Sequence, residues 1–186
     1  IGGNLVVAEA ATPTLSTGAG AGNILVSGTT NGTALGVAES LTALAGTGNV
    51  TFTGAVGNAT DALELEALTI TSAATTLFSG AVTLSNALTQ TAGSVATTFT
   101  GAVDVGSAAL TGTAFNVNNS FASGGTTAFT NSGTLTKSAG TNITSTGAFS
   151  TTGNVNLAAN ITTTNTDLTI GGNLVVAEAA TPTLST

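Results

Sequence analysis

The sequence lacks the residue types that carry most enzyme chemistry. It contains no Cys, His, Met, Trp or Tyr, and Lys137 is its single basic residue. The absence of Cys excludes a disulfide framework and a thiolate metal site. Without His, and with one Lys, the chain has no base that could activate its many Ser and Thr hydroxyls as nucleophiles. We therefore expect the protein not to be an enzyme.

Charge is also scarce, since only 5% of the residues are charged and the net charge is −7. Binding to nucleic acid requires clustered Lys and Arg that neutralise phosphates, so we expect no nucleic-acid partner. Apolar residues make up 41% of the chain, which is more than a disordered segment of high charge contains. They are spread evenly, with no long apolar block that would predict a transmembrane helix. We expect no insertion into a membrane.

An exact internal repeat dominates the sequence. Residues 1–17, IGGNLVVAEAATPTLST, recur without a substitution as residues 170–186. Internal repeats at a fixed period are the sequence signature of repeat architectures. The simplest interpretation is one tandem-repeat unit at residues 1–169 followed by the start of an identical unit at residues 170–186, within a longer repetitive chain. The alternative is a polypeptide whose two ends merely match.

Short alternating runs predict strands throughout the chain. Each run has a Gly, a small residue and then the pattern apolar–x–apolar, which sends every second side chain to one face. Thr, Val, Ile and Phe, which are common in these runs, are good strand formers. The runs start at Gly3, Gly22, Gly48, Gly80, Gly101, Gly133, Gly153 and Gly172.

The spacing of these runs predicts the architecture. Several neighbouring runs start 19 to 21 residues apart, and two gaps of 32 would each hide a degenerate coil, near residues 63–70 and 115–117. Such a period suits one coil of a β-helix. We therefore predict an all-β fold, a β-solenoid with about eight or nine coils of roughly 19–21 residues per unit. A β-sandwich is the weaker alternative, because such domains run near 100 residues and usually bury a Trp.

Two kinds of segment stand out against this period. Phe52, Phe78 and Phe99 each begin the motif Phe-Thr/Ser-Gly-Ala-Val, so we predict that they stack in the core of successive coils. Residues 32–46 lie in the gap of 26 residues between the runs at Gly22 and Gly48, and residues 9–22 carry Pro13, which cannot donate to a strand ladder. We expect these two segments to leave the coil as a short helical or loop excursion and as a loop, respectively.

Asn recurs at positions where it would serve structure. It directly follows the Gly of five runs, and stacked Asn amides at a solenoid corner would bond along the fibre; a plain turn preference is the alternative. These Asn residues are Asn4, Asn23, Asn49, Asn154 and Asn173. Six Asn-x-Ser/Thr sequons are candidate glycan acceptors, and the alternative is that a chain so rich in Thr contains sequons by composition alone; they start at Asn31, Asn49, Asn58, Asn118, Asn142 and Asn160.

The densest acidic group is Asp61, Glu64 and Glu66. Leu63 and Leu65 alternate with the two Glu residues, so both carboxylates should point outward from one strand. A solvated strand face is the simpler interpretation, and a Ca²⁺ site built from hard oxygen ligands is the alternative hypothesis. We expect no other cofactor, and no catalytic residues.

The runs FTGAVDVGSAALTG, GNVNLAANITTTNTDLTIGGNL and SGTLTKSAGTNITSTGAF resemble repeats of filamentous-haemagglutinin-like and autotransporter-passenger proteins. Those are giant bacterial surface proteins with right-handed β-helix shafts, so the resemblance implies a right-handed coil and an extracellular, cell-surface location. It implies a structural filament, sheath or biofilm matrix whose partners are further copies of the repeat, end to end and side by side. The alternative is an adhesin shaft that binds sugars, cells or neighbouring fibres through its loop excursions.

Overall fold

The computed structural model describes residues 1–33, 39–58 and 65–186, and their regular structure consists entirely of β-strands. Most strands are short because a Gly or a polar turn interrupts the chain after a few residues, and they contain the alternating Thr, Val, Ile, Leu and Phe that favour strands. They are β1 (Leu5–Val6), β2 (Thr14–Ser16), β3 (Ile24–Val26), β4 (Thr30–Asn31), β5 (Ser40–Leu44), β6 (Val50–Phe52), β7 (Ala67–Phe78), β8 (Val82–Gln90), β9 (Gly93–Phe99), β10 (Val103–Gly112), β11 (Ala114–Val117), β12 (Phe121–Ser123), β13 (Thr127–Asn131), β14 (Thr134–Lys137), β15 (Ile143–Ser145), β16 (Phe149–Thr151), β17 (Asn154–Leu157), β18 (Ile161–Thr163), β19 (Leu168–Ile170), β20 (Leu174–Val176) and β21 (Leu184–Ser185).

Each strand pairs in parallel with a strand one coil away, which makes the chain a β-solenoid with three faces. The first face runs from β1 to β4, continues through bridges at Val56 to β8 and β10, and then passes through β12, β15, β18 and β21. The second face contains β2, β5, β7, β8, β10, β13, β16 and β19. The third face contains β3, β6, β7, β9, β11, β14, β17 and β20. The predicted all-β solenoid is confirmed.

The coils are less uniform than the sequence spacing predicts. Hydrogen-bonded residues on adjacent coils are 26 positions apart at Asn23 and Asn49, but 20 apart at Thr71 and Thr91 and 18 apart at Thr98 and Asn116. The coil count consequently differs slightly from the predicted eight or nine.

The core is a narrow column of side chains from the inward positions of all three faces. Alternate residues are buried in the short strands between the two ends of the ladder, as in β3, where Ile24 and Val26 point inward and Leu25 is exposed. Because a parallel ladder has no register shift between most coils, inward residues stack on inward residues. One apolar cluster thereby extends from Val7 to Ile161.

The two predicted excursions need correction where the structure describes them. Within residues 32–46, Ser40–Leu44 form strand β5 and pair with both β2 and β7, because Leu41 and Ala43 supply the inward alternation; residues 34–38 lie outside the described part. Within residues 9–22, Thr14–Ser16 form β2. Pro13 directly precedes this strand, and its carbonyl accepts from the Thr42 N–H at 3.0 Å, although Pro has no N–H to donate to the ladder.

The two wide sequence gaps do contain coils where the structure describes them. Residues 115–117 belong to β11 on the third face. Residues 67–70 belong to β7, and residues 63 and 64 lie outside the described part of the chain.

Candidate functional site

A ladder of three Phe rings occupies successive coils on the third face of the solenoid. The strand registers place Phe52, Phe78 and Phe99 on successive coils, directly above one another. The rings of Phe52 and Phe78 are 5.5 Å apart between centroids with planes 3° apart, and those of Phe78 and Phe99 are 5.2 Å apart with planes 0° apart. All three side chains are buried. Stacked rings at each layer fix the lateral position of one coil on the next.

Lys137 occupies the same inward column as these rings, which the sequence analysis did not anticipate. Its register partners are Val117 on one side and Leu157 on the other, and only 1% of its surface is exposed. The ammonium group donates to Ser138 O at 2.9 Å, to Val117 O at 3.3 Å and to Thr141 Oγ1 at 3.3 Å. Burial removes water from the charged form and lowers the pKa of Lys137 below its ordinary value of 10.5.

The Asn residues that follow Gly lie at corners, just before a strand or, for Asn154, at its first residue. The Asn49 N–H donates to Asn23 Oδ1 at 2.8 Å, and the Thr75 N–H donates to Asn49 Oδ1 at 3.2 Å. Asn154 Oδ1 likewise accepts from the Asn173 N–H at 2.9 Å. Each side-chain oxygen therefore satisfies a backbone donor of the next coil, where the corner interrupts the strand ladder.

Asn4 makes the same type of contact at a different corner. Its Oδ1 accepts from the Thr29 N–H at 3.0 Å, and it precedes β1 of the first face, whereas Asn23 precedes β3 of the third face. Asn142 and Asn160 form a further ladder on the first face, with Asn160 N–H donating to Asn142 Oδ1 at 3.2 Å. The Thr183 N–H donates to Asn160 Oδ1 at 2.8 Å.

The six sequon Asn residues differ in their exposure. Asn49, Asn118 and Asn142 are exposed, while Asn31, Asn58 and Asn160 are partly buried. Asn118 Oδ1 accepts from the Ser138 hydroxyl at 3.0 Å on the next coil. Some of these side chains therefore already take part in contacts between coils.

The acidic group proposed for Ca²⁺ lies mostly outside the described residues. Asp61 and Glu64 fall there, and Glu66 is partly exposed, with its Oε1 accepting from Asn86 Nδ2 at 3.5 Å. Among the residues that the structure describes, no three Asp, Glu, His or Cys side chains come together in a group able to hold a metal ion.

Further buried polar groups, which were not singled out from the sequence, hold corners together. Asn131 is 3% exposed, and its Oδ1 accepts from the Thr151 hydroxyl at 2.7 Å and from the Gly153 N–H at 3.0 Å. The fully buried Glu39 accepts from the Thr33 N–H at 2.7 Å and from the Thr33 hydroxyl. Strand alternation alone could have placed Asn131 inward with Phe129, since the two are separated by one residue.

The two ends of the described ladder each present strands that pair on one side. We name β1, β2 and β3 the leading edge, and β19, β20 and β21 the terminal edge. Within the described chain, leading-edge strands pair with the following coil alone, and terminal-edge strands with the preceding coil alone. The terminal edge exposes Leu174 by 40%, Val176 by 49% and Leu184 by 41%. Unpaired, apolar strand edges are templates for pairing with another strand.

Comparisons with known proteins give no indication of function, so the function has to be inferred from the fold and the residues of the chain. A scan against protein-family models found no match, and searches of curated proteins and of solved structures found no similar protein. None of the described residues belongs to a helix of the length and apolar character needed to cross a membrane.

Proposed function

We propose that this chain is part of a structural fibre built from tandem copies of a β-solenoid unit, with a mechanical rather than a catalytic role. The observation that carries this proposal is the parallel ladder that stacks coil on coil from β1 to β21. The repeat of residues 1–17 as residues 170–186 supplies the reason to extend that ladder with further copies.

The contacts between coils suit a load-bearing shaft. Backbone hydrogen bonds run along the axis at every coil, and the Phe ladder and the corner Asn residues add side-chain contacts in the same direction. In a repeat protein each coil contacts its neighbours alone, so length is gained by adding units without a new core. Low charge and few long side chains allow neighbouring fibres to approach closely.

The finer identity that we propose is a filamentous-haemagglutinin-like or autotransporter-passenger type shaft at a bacterial cell surface. The absence of Cys and the Thr, Gly and Asn-rich coils favour that group over disulfide-stabilised extracellular domains. The partners we propose are further copies of the unit, end to end and side by side.

Fibre diffraction tests the structural proposal. A chain with several tandem units should form filaments whose diffraction has a layer line at about 4.8 Å along the fibre axis, the spacing of paired strands. A filament without this axial reflection would overturn the solenoid fibre. Denaturing electrophoresis of such filaments from their natural source then separates one giant covalent chain from stacked single units.

A further inference from the structure

The two copies of the repeated segment lie on different faces of the solenoid. In the first copy, Leu5 belongs to β1 on the first face and pairs with Thr30. Its equivalent in the second copy, Leu174, belongs to β20 on the third face and pairs with Val155. The same shift affects the next strand, since Leu15 lies on the second face and its equivalent Leu184 on the first. The 169-residue unit therefore does not contain a whole number of coils.

The segment nevertheless keeps its local conformation on both faces. Ala10 and its equivalent Ala179 both adopt a left-handed backbone, with φ of 56° and 60°. The turn that contains each of these residues closes with the same hydrogen bond. The Ala11 N–H donates to Ala8 O at 2.9 Å, and the Ala180 N–H donates to Ala177 O at 3.0 Å. This left-handed conformation is costly for Ala, and its recurrence indicates that the segment's own sequence specifies the turn regardless of the face.

The backbone groups used by the two copies are complementary. In the first copy, the Leu5 and Val7 N–H groups donate to the following coil, at Thr29 O and Asn31 O, both at 2.8 Å. In the second copy, Ala177 N–H donates to the preceding coil at Leu157 O, at 2.9 Å. Alternate residues of a parallel strand pair with opposite neighbours. One segment can therefore make both sets of bonds at once.

The second strand of the repeated segment, which follows Pro13 in the first copy, also uses alternate residues to bond to the preceding and the following coil. Pro13 O accepts from the following coil, at the Thr42 N–H, while Thr183 O accepts from the preceding coil, at the Ile161 N–H at 3.1 Å. Thr183 is the equivalent of Thr14, which directly follows Pro13, so the two sets again use alternate residues.

A glycine corner passes through the segment in the same way. A Cβ added at Gly172 would lie 2.5 Å from the Gly153 carbonyl carbon of the preceding coil. A Cβ added at Gly28 would lie 2.6 Å from the carbonyl carbon of Gly3, the equivalent of Gly172 in the first copy. Gly172 therefore lies against the coil that precedes the segment, on the third face. Its equivalent Gly3 lies against the coil that follows the segment, on the first face.

From these relations we propose that the next copy of the unit, of which β20 and β21 are the first strands, stacks on the preceding one with a rotation of one face, and that the rest of that copy continues the solenoid on the terminal edge. The third face of one unit continues as the first face of the next, the first as the second, and the second as the third. This interaction surface rests on the proposed function, because its occupant is a second copy of the same unit. The apolar side chains that it covers include Val176, which is 49% exposed, whereas its equivalent Val7 is 1% exposed beneath a following coil.

The rotation has a consequence for the surface of the fibre. With three faces per coil, a given residue returns to the same face only after three units. Any decorated or adhesive position would therefore wind around the shaft instead of forming one stripe along it.

Cysteine cross-linking in the full 186-residue chain tests the rotation, because the natural sequence contains no Cys. The proposed register places Val175 beside Asn156 on the third face. A unit that kept each residue on its own face would instead place Val175 on the first face, beside Thr162. The double variants Asn156→Cys/Val175→Cys and Thr162→Cys/Val175→Cys are treated with a short thiol cross-linker that spans one layer of about 4.8 Å. The control is Thr136→Cys/Asn156→Cys, a register pair away from the repeat.

We expect the Asn156/Val175 pair to cross-link as fully as the control, and the Thr162/Val175 pair to stay unlinked. Linking of Thr162/Val175, with the control also linked, would overturn the rotation and leave the fibre proposal standing. A linked control with neither test pair linked would likewise overturn the rotation. An unlinked control would contradict the solenoid register itself, and with it the proposed function.

Discussion

The rings of Phe78 and Phe99 lie parallel, 5.2 Å apart between centroids, on adjacent coils of the third face. Phe78 also stacks on Phe52, so it is the central member of the parallel stack. A buried ring with a neighbour on each side contributes to two contacts between coils, whereas an end member contributes to one.

Phe78→Ala should therefore be strongly destabilising. Loss of a fully buried ring typically costs about 3–5 kcal/mol, through lost burial and the cavity that remains. We expect a clear fall in the midpoint of urea unfolding, and a smaller fall for Phe78→Leu, which retains most of the volume. Equal midpoints for Phe78→Ala and the unmodified chain would show that the ring ladder does not hold the coils together.

Lys137 should make stability depend on pH. Burial lowers its pKa in the folded chain below the ordinary value of 10.5, so the unfolded chain binds more protons between these two values. The free energy of unfolding should accordingly rise as the pH increases through the folded-state pKa toward 10.5. Below the folded-state pKa the full cost of the buried charge remains.

Lys137→Met is the matching variant, since Met packs between Val117 and Leu157 without a charge. We expect a more stable chain at neutral pH, with the rise of stability toward pH 10.5 abolished. Urea unfolding of both chains over this pH range measures the difference. A wild-type profile as flat as that of the variant would contradict the assignment of the pH dependence to Lys137.

The sequence indicates many of the residues that point into the core, but not which of the three faces each strand occupies. The alternation of Thr134, Leu135, Thr136 and Lys137 places Lys137 on the inward side with Leu135, although a charged side chain is seldom found in a core. Phe52, Phe78 and Phe99 could be placed in one column because each begins the same motif. By contrast, the face occupied by Leu174 could not be read from the sequence, because it depends on the summed lengths of the coils, and the corners tolerate extra residues.

Asn49 provides a test of the corner contacts between coils. Its Oδ1 accepts from the Thr75 N–H at 3.2 Å and from the Thr75 hydroxyl at 2.7 Å. Asn49→Ala removes this acceptor, and we expect a loss of about 1 kcal/mol in the free energy of unfolding. Asn49→Asp keeps an acceptor oxygen and should lose less. If Asn49→Asp lost as much as Asn49→Ala, the acceptor would not be the stabilising feature.

Gly3 and Gly172 are the same residue of the repeat, and they should respond differently to the same substitution. A Cβ at Gly3 would meet no atom within 4 Å, whereas a Cβ at Gly172 would lie 2.5 Å from the backbone of Gly153. Backbone cannot move aside as a flexible side chain can, so Gly172→Ala should separate the last coil from the preceding one, while Gly3→Ala should be tolerated. Hydrogen exchange of the Ala177 N–H, which donates to Leu157 O at 2.9 Å, reports this separation. We expect faster exchange in Gly172→Ala and unchanged exchange in Gly3→Ala. Equal exchange in the two variants would contradict the close stacking of the second copy of the repeat on the coil before it.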